Sequence, residues 1–380
     1  MNLPVYLDYN ATTPVAPEVA DAIIPYLREH FGNPGSAHVF GQRAKLAVAQ
    51  ARAQVAALIQ ASAAEIVFTG SATEANNLAL LGVARALGRP GHLIISAVEH
   101  PAVMAPARRL EEAGWAVTVV PVDDCGRVAP QAVGKALRPD TSLVSIMHAN
   151  NEIGTIQPVA EIAAMVKAHG ALMHTDAAQS AGKVPLDVAA LGVDLLTLAG
   201  HKFYATKGIG ALYVRTGTAL APVLAGAEQE RGLRPGTENV PAIVGLGEAA
   251  RLARERLPVA EPRLKTLRDR LHEKLLEVIP GLLLNGHPEQ RLPNTLHLSF
   301  PGVAGRELLD RCASDVAASL GSACHDYEDA VSGVLAAMGQ DAARAMGAVR
   351  LSVGWMTSEE EIDRAAAALV SAFETAGASN

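Results

Sequence analysis

A chain of 380 residues that is 49% hydrophobic and 19% charged has enough apolar content for one large core and a smaller lobe. A net charge of −7 and a pI near 6.0, with no cluster of Lys or Arg, leave nothing to neutralise a run of phosphates, so nucleic acid is not an expected partner. Three cysteines, Cys125, Cys312 and Cys324, form no CxxC pair and no metal-ligand spacing, which argues against a disulfide framework or a zinc site and for a reducing compartment. The first residues show no basic or apolar leader pattern, and no apolar run reaches the roughly eighteen residues of a membrane helix. The expectation is a cytoplasmic protein without a membrane anchor.

In chain order, short runs rich in Val, Ile and Leu recur at 66–68, 92–96, 117–120, 143–147, 172–175, 195–199 and 210–214. Amphipathic segments lie between them, among them 41–59, 73–86, 101–112 and 158–169, and some open with Pro at the first helical position. This rhythm predicts an α/β fold, a mostly parallel seven-stranded sheet with helices on both faces. After about Leu257 the pattern changes to a long charged helix at 261–278, a strand-like stretch at 294–300, another helix and a terminal helix from Ser358. These read as a smaller α+β lobe, to which the first dozen residues cross back. The division expected is 14–257 for the large domain and 1–13 with 258–380 for the small one.

In an open α/β sheet ligands sit beyond the carboxyl ends of the strands, so the residues just after each apolar run carry the information. Ser71 and Glu74 form a capping-box pattern after the first run, and the free amides of the helix they start would suit an anion. Read alone, the motif is also an ordinary capped helix. His100, before Pro101, could lie over a flat ring or serve as a plain cap. The Asn150-Asn151 turn could offer an amide to a ring oxygen or a carboxylate. Asp176, with Gln179 three residues on, would need a cationic partner to stay charged near a lobe interface. Lys202 ends the 195–199 run at a depth suited to Schiff-base chemistry, although a surface lysine is the usual alternative. Anion seat, stacking group, acid and amine follow one another on successive strand ends, and the cofactor that needs all four is pyridoxal 5'-phosphate.

These residues resemble the cysteine desulfurases, within the class V aminotransferase group of fold-type I pyridoxal-phosphate enzymes. The likeness runs through Tyr6-Leu7-Asp8-Tyr9-Asn10-Ala11-Thr12-Thr13-Pro14, Gly32-Asn33-Pro34, Ala72-Thr73-Glu74, Glu99-His100 and His148-Ala149-Asn150-Asn151-Glu152-Ile153-Gly154. It continues through Asp176-Ala177-Ala178-Gln179, Gly200-His201-Lys202, Arg234-Pro235-Gly236-Thr237-Glu238-Asn239 and Gly321-Ser322-Ala323-Cys324 to Arg350-Leu351-Ser352. The resemblance implies that Lys202 holds the cofactor aldehyde and moves the α-proton, Asp176 pairs with the ring nitrogen, and Gln179 hydrogen-bonds the phenolic oxygen. It further implies that His100 stacks on the ring and shuttles protons. Ala72, Thr73, His201 and Thr237, the last from a second subunit of a homodimer, would hold the phosphate. Asn151 and Arg350 would fix the carboxylate of L-cysteine, and Cys324 would take its sulfur as a persulfide for delivery to an acceptor or iron-sulfur scaffold protein. Cys125 and Cys312 lie at no carboxyl strand end and read as plain structural cysteines.

Some positions depart from the family pattern. Ala199 replaces a serine that commonly donates to the phosphate, and Ala205-Thr206 replaces a Gly-Pro. Gly226-Ala227-Glu228 replaces a triple glycine and would add a carboxylate near the cofactor. The acidic stretch from His325 to Asp329 follows Cys324 where the family has small residues, and Trp355 replaces an arginine. Selenocysteine lyase is also similar around Arg234 to Asn239. A class V aminotransferase or lyase without sulfur transfer would share the cofactor site but not need Cys324, and a non-catalytic partner of a sulfur complex would not need Lys202.

Overall fold

The structure, a computed structural model, describes residues 3–321 and 332–377. Its strands in chain order are β1 (Val5–Tyr6), β2 (Ile66–Thr69), β3 (His92–Ser96), β4 (Ala116–Val120), β5 (Thr141–Ser145), β6 (Leu172–Asp176), β7 (Leu195–Ala199), β8 (Gly210–Val214), β9 (Leu283–Asn285), β10 (Thr295–Ser299), β11 (Val316–Ala317) and β12 (Ala348–Ser352). The central sheet has seven strands in the order β2-β8-β7-β6-β5-β3-β4. All pairs are parallel except those of β8, which runs antiparallel to both neighbours.

Alternation along the strands sorts side chains to opposite faces, as the two-residue period of a strand requires. Ile66 and Phe68, Ile94, and Leu196 and Leu198 enter one apolar cluster, whereas Val67, Leu93 and Ile95, and Leu195 enter another. Both faces are therefore covered, and β3, β7 and β8 are buried along their whole length. The strand expected at 143–147 ends sooner, at Ser145, because the Met147 amide donates to Glu99 Oε1 at 2.8 Å instead of continuing the ladder.

A separate cluster joins Val5 and Leu7 to residues from Leu264 to Ala376, and it packs on the antiparallel sheet β12-β10-β9. β1 pairs in parallel with β11, so the N-terminus does cross to this lobe. The helix expected from residue 261 instead begins at Val240 and runs unbroken to Val278 through Pro258 and Pro262. An interior proline costs a helix about 3 kcal/mol. Both halves are anchored strongly enough to offset that: Val240 to Ala253 bury side chains in the large core and Leu264 to Leu275 in the small one, while no side chain from 254 to 263 is buried.

Candidate active site

The carboxyl ends of β2, β3, β6 and β7 open together onto one cavity of about 750 Å³. Helix Ala72–Leu87 points its N-terminus into it. Ser71 caps that helix by accepting the Glu74 amide at 3.1 Å. The reciprocal half of the expected capping box does not form. Glu74 turns its carboxylate to the Gly70 amide (2.9 Å) and to Arg234 (2.8 Å), because the tertiary fold brings a cation there. Gly210 of β8 passes so close that a Cβ would lie 2.7 Å from the Ser71 carbonyl carbon and 2.9 Å from the Ala72 nitrogen, so only glycine permits this approach. His201, whose Nδ1 lies 3.2 Å from Thr12 Oγ1, completes this end of the cavity; burial first, and then the neighbouring lysines, push it down to about 4, which keeps the ring neutral.

At the end of β6, Asp176 is buried with both carboxylate oxygens engaged. Oδ2 accepts from Asn76 Nδ2 at 2.6 Å and Oδ1 from the Ala178 amide at 2.9 Å. Asn76 is wholly buried, one helical turn past Ala72, and its Oδ1 has no partner. His100 is the N-cap of helix Pro101–Glu112, and its Nδ1 accepts from the Ala102 amide at 3.1 Å, so a neutral ring carries its proton on Nε2. Burial lowers its pKa, Asp176 opposing and Lys202 adding to the shift. The capping use anticipated for this histidine is the one the structure shows, and the capped ring also lines the cavity. Glu99 beside it accepts from Ser96 Oγ (2.6 Å) and the Met147 amide through Oε1, while its buried Oε2 has no partner. Burial raises this carboxyl to about 8.

Lys202 stands in the one-turn helix Gly200–Lys202 after β7. Its Nζ donates to the carbonyls of Asn10 (2.7 Å) and Ala11 (2.8 Å), which the N-terminal segment lays across the strand ends. That segment is bolted down by Thr13, which donates through N and Oγ1 to the His201 carbonyl. Gln179 donates to the Asn10 carbonyl at 3.0 Å and accepts from Lys183 at 3.0 Å.

The small lobe supplies Arg350 of β12, fully inside the protein. It donates to the carbonyls of Asn151 (3.0 Å) and Gly321 (2.8 Å) and to Asp8 (2.8 Å). Its Nε is buried without a partner. Glu152 accepts from Ser332 Oγ at 2.5 Å. Gly321 and Gly333 border the cavity, one on each side of the segment that contains Cys324. Cys324 itself, with His325 to Asp329, lies outside the described residues.

Ala72, Thr73, His100, Asn151, Asp176, Gln179, His201, Lys202 and Arg350 all line this cavity. Asn150 does not offer its amide to a ligand: it is spent on the turn, accepting from the amides of Glu152 and Ile153 and donating to the Val98 carbonyl. Thr237 is exposed and absent from the lining, and so is Glu228. Cys312 is buried in the small core, and Cys125 lies away from the cavity.

A family profile described as aminotransferase class-V matches residues 5–365. A cysteine desulfurase IscS of Dictyoglomus turgidum is 45% identical over 96% of this chain and 93% of its own length, and one of Methanosarcina thermophila is 47% identical over 96% and 90%. A solved NifS-like protein superposes with a TM-score of 0.91 at 39% identity, covering 98% of this chain and 99% of that one. A structure titled as SspA in complex with cysteine gives 0.82 at 37%, covering 92% and 98%. The chain belongs to the cysteine desulfurases of the class-V aminotransferase family. The desulfurase is accordingly a pyridoxal-phosphate enzyme with the fold-type I architecture. Among the described residues no helix is long and apolar enough to cross a membrane.

Sequence reasoning missed Asn10, Asn76, Glu99 and Lys183. Asn76 could have been found one turn along the helix from Ala72, and Lys183 one turn beyond Gln179. Asn10 and Glu99 fell within the motifs of the resemblance but were given no role, since their roles come from contacts made across the fold.

Proposed function

We propose that this desulfurase takes the sulfur of L-cysteine onto Cys324 in a site shared across a homodimer. The observation that carries the reading is that Lys202, Asp176, His100 and the N-terminus of helix Ala72–Leu87 line one cavity, whose border includes both flanks of the Cys324 segment. The donor set suits pyridoxal phosphate. The helix amides at Ala72 and Thr73 with His201 would hold the phosphate, and Asp176, its carboxylate oriented by two donors, would face the ring nitrogen. Gln179 would serve the phenolic oxygen. Thr237, exposed here, would complete the phosphate seat of a second subunit. The large lobe of 14–257 would then carry the cofactor, and the small lobe of 1–13 with 258–380 the sulfur-accepting thiol.

When bound, pyridoxal phosphate supplies an electron sink that acidifies the substrate's α-carbon. Lys202 would tether the cofactor and move the proton at that carbon from its place between two carbonyls. His100, neutral and fixed by its cap bond, would present Nε2 for proton exchange. Asn151 and Arg350 would hold the substrate carboxylate, Arg350 through the donor capacity left beside its bonds to Asn151, Gly321 and Asp8. The Cys324 thiolate attacks the substrate sulfur: a sulfur–sulfur bond forms, the Cβ–S bond breaks with its electron pair going to carbon, and protonation there yields alanine. The persulfide is then passed to an acceptor, such as an iron-sulfur scaffold or a thiolated cofactor, in the reducing setting of the cytoplasm.

Alanine formed from L-cysteine by the parent enzyme and by Cys324→Ala, under the same reductant, tests this reading. Loss in the variant alone is expected. Undiminished alanine from Cys324→Ala would remove Cys324 from the reaction and favour a lyase without sulfur transfer.

A further inference from the structure

Lys183 lies behind the cavity rather than in its wall. It borders a small internal void that Lys202, Tyr204, Asn294 and Trp355 also line. The side chain is buried, and among the described residues no carboxylate is within reach of its ammonium. Burial, with Lys202 and Arg350 adding, drives its pKa well below the usual lysine range. A methionine would fill such a place without the cost of burying an amine, so the amine calls for an explanation in what it bonds.

Its two bonds both go to side-chain amide oxygens, Gln179 Oε1 at 3.0 Å and Asn10 Oδ1 at 3.1 Å. An amide is a two-faced group: turned over, it offers an acceptor where it offered a donor. An ammonium has donors and no acceptor, and even a neutral amine keeps two N–H groups for its two neighbours, so both bonds are met when the amides turn their oxygens to Nζ. With Oε1 held by Lys183, the NH₂ of Gln179 is what remains for the Asn10 carbonyl and for the cavity. The same logic fixes Asn10. Its Oδ1 accepts from Lys183 and from Asn294 Nδ2 (3.0 Å), so its Nδ2 goes to Thr295 Oγ1 (2.8 Å) and the Asn151 carbonyl (3.3 Å). The Asn10 backbone carbonyl in turn receives Lys202.

We propose that Lys183 is a positioning residue, whose Nζ sets the sense of the Gln179 and Asn10 amides and so makes Gln179 a dedicated donor toward the cofactor. This rests on the reading that Gln179 serves the cofactor's phenolic oxygen. The backbone is built to hold the lysine there: Gly182 (φ 73°) packs against Phe203 and Ala253, where a Cβ would come within 3.0 and 3.1 Å of theirs, and the Lys183 amide donates to the Ser180 carbonyl.

The test is a double-mutant cycle on the holoenzyme with Lys183→Met, Gln179→Leu and both together, read by the visible absorption and circular dichroism of bound pyridoxal phosphate and by its dissociation constant. Lys183→Met is expected to weaken cofactor binding about tenfold and to shift the visible band in the same sense as Gln179→Leu, about the effect of one hydrogen bond to a charged oxygen. The double variant should be no worse than Gln179→Leu alone. Additive effects, or a parent-like spectrum and affinity in Lys183→Met, overturn the inference. A parent-like spectrum in Gln179→Leu instead overturns the assignment of Gln179, and the role of Lys183 falls with it. Should Lys183→Met fail to fold, Lys183→Gln keeps an N–H donor and is expected to hold the parent spectrum; a spectrum like that of Gln179→Leu would overturn the proposal.

Discussion

Glu99 offers a quantitative test of the electrostatics around the strand ends. Its carboxyl is buried, Oε1 takes two hydrogen bonds, and Oε2 has none, so burial raises its pKa from 4.5 to about 8. A carboxyl raised on folding binds more protons in the native than in the unfolded state between those two values. Its contribution is therefore fully present below the unfolded pKa and is lost as pH rises through about 8. Integrating the linkage with these two pKa values, the contribution falls by about 2 kcal/mol between about pH 6 and about pH 8. Glu99→Gln keeps the shape and cannot ionise. Urea unfolding of cofactor-free parent and variant at both pH values should thus show the parent losing about 2 kcal/mol more than the variant on going from the lower to the higher pH. A gap between parent and variant that stays constant with pH would refute the reasoning, because it would place Glu99 in the same protonation state throughout.

Two further outcomes follow from the loops that hold the site. Glu230 sits in a left-handed turn (φ 47°, followed by Arg231 at 60°), pairs with Arg52 through both oxygens at 2.6 Å and also accepts the Phe68 amide of β2. Glu230→Gln breaks this buried pair and is expected to cost about 3–5 kcal/mol in denaturant unfolding; a change below about 1 kcal/mol would show that the pair is solvated. Trp355 stacks on Tyr204 at 3.6 Å between ring centroids and donates its amide to the Tyr204 hydroxyl at 2.8 Å, with Arg256 over the indole. Trp355→Ala should destabilise the enzyme by about 2–4 kcal/mol, measured by thermal and urea unfolding. An unaltered midpoint would mean that the stack does not join the lobes.

The departure from the family's arginine at residue 355 was visible in the sequence, but its effect was not, because Tyr204 and Trp355 meet only when the lobes pack. The same divide runs through the molecule. Apolar runs with their punctuation specified the seven strands of the central sheet, since strand period and burial on both faces are local properties of residue pattern. Polar residues at the strand ends marked the helix start at Ala72, Asp176, Lys202 and His100 as one cavity wall, because that edge of a parallel sheet is where side chains can converge. What tertiary structure decided was who partners whom. Arg234 draws Glu74 out of its capping box, Asn76 meets Asp176, Lys183 fixes two amides from far-separated segments, and one helix outlasts two prolines because each half is anchored in a different core. These are contacts across long chain separations, and no window of sequence contains both members of such a pair.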